Sequence, residues 1–130
     1  MERQEVLELV PGWTMKVDRG PDWLFITLHE ALDGNVGGTD LADQLWSLLR
    51  QHFTNRLVLE LDELTILRSD FISQLIRVQH NIDRDGGLLR LCGLSENNQK
   101  VLRTARVCDR FAQYRNREDA VMGISSLQPR

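Results

Sequence analysis

Between Arg56 and Gln79 the chain reads RLVLELDELTILRSDFISQLIRVQ, and its hydrophobic period changes from that of a strand to that of a helix within a few residues. Leu57, Val58, Leu59 and Leu61 form a nearly continuous apolar run. Strand side chains alternate between the two faces of a sheet, so such a run needs apolar cover on both sides. From Phe71 onward the stripe Phe71, Leu75, Val78 and Ile82, widened by Ile72 and Ile76, follows the helical repeat. The spacing predicts an interior strand with parallel neighbours, a polar corner, and a helix opening at Ser69 and Asp70. That pairing restricts the chain to folds in which helices pack on a largely parallel sheet.

The flanking sequence extends the same alternation. Trp13, Met15 and Val17 alternate with polar residues, Arg19 to Asp22 form a turn, and Trp23 to Leu28 are nearly all apolar, which predicts a hairpin. Before it, Glu2 to Val10 is a mixed segment stopped by Pro11 and Gly12. Asp33 to Gly38 reads as a glycine-bearing loop without the GK[ST] or dinucleotide pattern of a phosphate cradle. Thr39 is placed to cap a helix with Asp40 and Asp43 in its first turn. The apolar stripe of that helix runs through Leu41, Leu45, Leu48 and His52, with Ala42, Trp46, Leu49 and Phe53 beside it. After the central unit, Asp85 to Gly87 end a helix and Leu88 to Cys92 form a strand. Ser95 caps a helix with Val101, Leu102 and Ala105 inward; Phe111 to Tyr114 add an edge strand. Asn116 with Asp119 opens a final helix through Ala120, Val121 and Ile124, and the tail SSLQPR is loose. The expected fold class is α/β, a mixed and mostly parallel sheet of about five strands with about four helices.

The order of elements, the strand VLELD, the apolar link TIL and the corner Arg68, Ser69, Asp70, Phe71, Ile72 resemble the STAS domain, the family of bacterial anti-sigma factor antagonists and of sulfate-transporter cytoplasmic modules. Gly86 and Gly87 leading into LLRLCGL, and the YRNREDAV ending, are similar too. The resemblance spans about residues 13 to 124, within one expected domain of residues 1 to 130; its specific motif lies within 57 to 76. It implies the STAS fold and a regulatory role through protein contacts. In such antagonists a serine at this helix start is phosphorylated by a partner kinase. In register, Ser69 falls on the first serine of the family pattern and Asp70 on the second, the usual acceptor. Asp70 cannot accept a phosphate ester but carries a negative charge, so the resemblance implies a switch that is lost or altered. Ser69 remains as a neighbouring hydroxyl, with Thr65 and Ser73 farther off. Phe71 stands where the family has glycine, and Arg68 where it has aspartate.

Composition narrows the function classes. With 42% hydrophobic and 27% charged residues, and no apolar run of bilayer length, the sequence reads as an ordinary soluble domain without membrane insertion. The start MERQEVLEL is not a signal peptide, which places the chain in the cytoplasm. Cys92 and Cys108, and His29, His52 and His80, lack metal-ligand spacing, so no metal and no cofactor is expected. Residues 1 to 70 hold 6 basic and 13 acidic side chains, a net −7, whereas residues 71 to 130 hold 10 and 6, a net +4. Lys100, Arg103, Arg106 and Arg110 recur at helical spacing and suit either a solvated helix face or a partner-docking patch. A net charge of −3 argues against nucleic acid.

The expected partner-binding set is Arg68, Ser69, Asp70, Phe71, Ser73, Arg103, Arg106 and Arg110. The expected partner is an anti-sigma factor, a related regulatory kinase or another protein, and a homodimer stays open. The alternative is a non-switching adaptor subunit of a transporter or stress-signalling complex. A phospho-receiver built on Asp70, Glu60, Asp62 and Glu63 would need these carboxylates to converge, and no nucleophile, base and oxyanion donor stand together. No enzymatic activity is expected.

Overall fold

A computed structural model describes residues 4–8, 13–30, 41–65 and 67–123. The expected loop at Asp33 to Gly38, the Thr39 cap with Asp40, Ile124 and the SSLQPR tail lie outside them. In chain order the elements are β1 (Gln4–Glu8), β2 (Trp13–Arg19), β3 (Leu24–Glu30), α1 (Leu41–Gln51), β4 (Arg56–Glu60), α2 (Ser69–Arg84), β5 (Leu88–Cys92), α3 (Glu96–Thr104), β6 (Ala112–Tyr114) and α4 (Arg117–Met122). One sheet contains the six strands of the described residues in sequential order. β1, β2 and β3 pair antiparallel, whereas β3 to β6 pair parallel. The five expected strands are joined by β1, which extends the hairpin side of the sheet.

β4 is interior, with parallel neighbours on both sides, as its apolar run requires. Its two faces are covered unequally. Leu57, Leu59 and Leu61 enter a large core with Met15, Val17, Leu24, Ile26, Leu28, Leu89 and Leu91 from the other strands. Helices α1, α2 and α3 close this face through Leu45, Leu49, Phe71, Leu75, Val78, Ile82 and Leu102. Val58 points the other way, into a smaller cluster with Trp23, Phe25, Cys92, Tyr114 and Ala120 of α4. Two half-buried glycines set the packing at the strand ends. A Cβ on Gly87 would lie 2.0 Å from the Asn55 carbonyl oxygen, and Gly93 has φ +79 against Asp62.

Two expected helices end early. α1 stops at Gln51, and Phe53 adopts φ 55, so its ring leaves the apolar stripe and is 91% exposed. α3 stops at Thr104, because Arg106 takes φ 62 while its N–H and that of Val107 bond back to the Arg103 and Leu102 carbonyls. Arg110 then lies in a 3-10 turn, Cys108–Arg110. Arg103, Arg106 and Arg110 are all exposed but do not share one helix face, and Ala105 is exposed rather than inward.

Candidate functional site

The corner between β4 and α2 is built from backbone that a buried side chain on another helix holds in place. Asn98 of α3 is fully buried; its Oδ1 accepts from the Leu67 N–H at 3.0 Å and its Nδ2 donates to the Leu64 carbonyl at 3.3 Å. Those bonds satisfy backbone groups that a buried irregular segment would otherwise leave unpaired. Ser95 fixes α3 in turn, accepting from the Asn98 N–H at 3.1 Å as the helix cap. Between α2 and α1, Gln74 of α2 is buried and its Oε1 accepts from the Ala42 N–H of α1 at 2.9 Å.

Helix α2 begins with Arg68 as its cap residue in extended geometry, without a side-chain cap bond. Asp70 takes part of that role: its Oδ1 accepts from the Phe71 N–H at 2.9 Å and lies 3.5 Å from Arg68 Nε. Both partners of this ion pair are about half exposed, 53% for Arg68 and 42% for Asp70, so water screens most of their attraction. Phe71 is buried beneath the helix, whereas Ser69, Ser73 and Thr65 are exposed. The first turn therefore shows solvent a guanidinium, a hydroxyl and a carboxylate, on a helix end whose free N–H groups favour negative charge.

Beside this turn a groove of about 430 Å³ runs between α2 and α3. Leu67, Ser69 and Ile72 form one wall; Lys100, Val101, Thr104 and Ala105 form the other. Arg103 lies on the same helix as Lys100, but Arg106 and Arg110 lie beyond its end. Lys100 is thus the basic side chain of α3 that lines the groove, and its position three residues before Arg103 was the signal for it. Glu60 does not converge on Asp70 as a receiver would require. Its carboxylate accepts from Thr27 Oγ1 at 2.8 Å and from Arg117 Nε, on the sheet face covered by α4.

Burial dominates the one large thiol shift, Cys92, which is pushed up to about 12 by desolvation and then by Glu60 and Asp62. Arg117 also departs from its ordinary value: burial opposes its charge, but hydrogen bonds to Glu60 and Asp18 outweigh that and hold its pKa up. No helix among the described residues is long and apolar enough to cross a membrane.

No protein-family model matches the chain, and a search of curated proteins also finds no match. Solved structures do match. A serine-to-glutamate variant of RsbS from Moorella thermoacetica superposes with a TM-score of 0.69 at 17% identity, over 82% of this chain and 91% of that one. An anti-sigma factor antagonist from Mycobacterium paratuberculosis gives 0.70 at 14% identity, over 90% and 98%. The anti-sigma factor antagonist SpoIIAA in its unphosphorylated form gives 0.62 at 14% identity, over 96% and 99%. By its sheet order, its helices and these superpositions, the chain has the STAS fold, the architecture of the anti-sigma factor antagonists.

Proposed function

We propose that the chain is a non-enzymatic, protein-binding regulatory module of the anti-sigma factor antagonist kind, with Asp70 as a fixed partial mimic of the phosphorylated state. One observation carries the reading: a half-exposed carboxylate stands in the first turn of α2, beside the groove between α2 and α3. The solved neighbours include an antagonist described by its unphosphorylated form and an RsbS variant with glutamate in place of serine. The first names a phosphorylation state and the second an acidic replacement of a serine, and these support the reading. Asp70 supplies one negative charge where a phosphate would bring about −1.5 to −2, so the mimic is partial. The partner surface combines Arg68, Ser69 and Asp70 with Ser73 and, across the groove, Lys100 and Arg103. Phe71 contributes by holding the turn to the core rather than by touching a partner.

The test is a paired measurement on wild type and Asp70→Ser, a thermal melt and a binding titration against an anti-sigma factor kinase domain. Serine keeps a side-chain acceptor for the Phe71 N–H and removes the charge. The expected result is a melting temperature within about 2 °C of wild type, as befits a change of a few tenths of a kcal/mol, with partner affinity altered at least fivefold. Equal affinity at equal stability would reduce Asp70 to a helix-terminal acceptor and sink the mimic.

A further inference from the structure

At the opposite end of β4 the molecule carries a second groove, of about 590 Å³, where the β2–β3 turn, the end of α1, the start of β4 and the turn before β5 meet. Arg19, Arg50 and Arg56 reach it from β2, α1 and β4, and Trp46 and Phe53 line it. Among the described residues none of these three arginines forms an ion pair. Arg19 Nη1 lies 3.3 Å from His52 Nδ1, and the Arg56 guanidinium sits 5.9 Å above the Trp23 ring. Helix-dipole compensation accounts for Arg50 in the last turn of α1, but not for Arg19 and Arg56 on strands. Two aspartates share the rim; the Asp85 carboxylate is turned to the Asn55 amide at 3.2 Å.

Phe53 is the informative residue. It is a bulky side chain in the left-handed region that favours glycine, and its ring is 91% exposed, so no packing compensates for the backbone conformation. Thr54 N–H closes the helix onto the Leu49 carbonyl at 3.1 Å, a stop that glycine would make with less strain. We propose that this pole is a docking site for an acidic segment of another protein, with an apolar side chain laid on Phe53 and Trp46 and flanking carboxylates on Arg50, Arg56 and Arg19. The two aspartates and the net charge of −3 oppose a polyphosphate track, whereas one or two carboxylates beside a large apolar group fit three arginines around an aromatic pair. This pole lies at the start of β4 and the corner of Asp70 follows its end, which leaves room for two partners at once.

Fluorescence anisotropy of the full chain with a fluorescein-labelled peptide of one phenylalanine between two glutamates tests the site. The counterpart with glutamines, and a single-stranded oligonucleotide of equal charge, serve as competitors. The glutamate peptide should bind at least tenfold more tightly than the glutamine one, and Arg50→Glu should weaken it at least tenfold. Phe53→Gly should weaken it at least fivefold while raising Tm by about 2–4 °C, because the left-handed turn is relieved. Asp70→Ser should leave it unchanged. Equal binding of the two peptides, preferential binding of the oligonucleotide, or affinity indifferent to Arg50→Glu and Phe53→Gly would each overturn the proposal, the last by showing that Phe53 only stops a helix.

Discussion

Asn98 shows how one buried amide determines the shape of an exposed site. Its carbonyl and amino groups each hold one backbone group of the segment leading into α2, and no water reaches them. Asn98→Leu keeps the branched shape but orphans the Leu67 N–H and the Leu64 carbonyl, and at about 1–3 kcal/mol per stranded group the expected loss is about 2–6 kcal/mol in urea unfolding. A loss below 1 kcal/mol would mean that the segment rearranges without it. Nothing in the sequence marks Asn98, since ENNQK reads as a solvated helix start and the atoms it serves lie about thirty residues away. Cys92 offers a second test at this scale. Its folded value of about 12 lies above the 9.0 of an ordinary thiol, so the stability tied to its neutral form is complete below pH 9 and is lost as pH rises toward 12. At pH 8, iodoacetamide should modify half-buried Cys108 and spare Cys92 until the chain unfolds, as peptide mass spectrometry would read.

At the scale of elements, α4 is the case where packing overrules propensity. Six residues are too few for a helix to persist alone, and tertiary anchors must hold it. Asn116 caps its start, accepting from the Asp119 N–H at 2.9 Å. Arg117 ties the first turn to the sheet, donating to Asp18 at 2.6 Å and to Glu60, with its guanidinium 4.3 Å from the centre of the Phe25 ring. Arg90 holds the other end: it lies between the rings of Trp23 and Tyr114, at 5.1 and 5.6 Å, and donates to the Ala120 carbonyl at 2.7 Å. Arg117→Met leaves two carboxylates, 5% and 16% exposed, facing each other without their cation. The expected cost is about 2–3 kcal/mol, below the 3–5 of a fully buried pair because Arg117 itself is one-third exposed. Thermal melts decide it, and an unchanged Tm would mean that α4 contributes nothing to the fold. The caps at Ser95 and Asn116 were legible because a cap and its N–H lie three residues apart. Arg117 was not, since its partners are 57 and 99 residues distant and YRNRED reads locally as a charged surface run. The ends of α1 and α3 were misread for a related reason: periodicity continues through His52, Phe53 and Arg106, and only the left-handed turns stop the helices.

For the whole molecule, the sheet order follows chain order, so each parallel strand is laid beside the one before it and β4 stays in the middle. Its apolar run disclosed that position in advance, because every one of its inward groups needs cover that only an interior strand receives. β1 was not legible: QEVLE mixes apolar and charged residues, and what makes it a strand is its register with β2, from Gln4 opposite Asp18 to Glu8 opposite Thr14. The two positions predict different local stabilities. The Leu57 to Leu59 side chains are fully buried between β3 and β5, so their amides open only when the sheet itself comes apart. Among the described residues β1 and β6 have a ladder on one side each, and β6 is three residues long. In native-state hydrogen exchange the β4 amides should therefore exchange with the free energy of global unfolding, while the β1 and β6 amides exchange at least 100-fold faster by edge opening. Leu59→Ala, which empties a fully buried site at the centre of the sheet, should lower the β4 exchange free energy by about 2–5 kcal/mol, the same amount as the global stability measured in urea. The edge amides should change far less, because their opening does not pass through β4. Equal slowing at centre and edges in the wild type would contradict this ordering and make the whole sheet one cooperative unit.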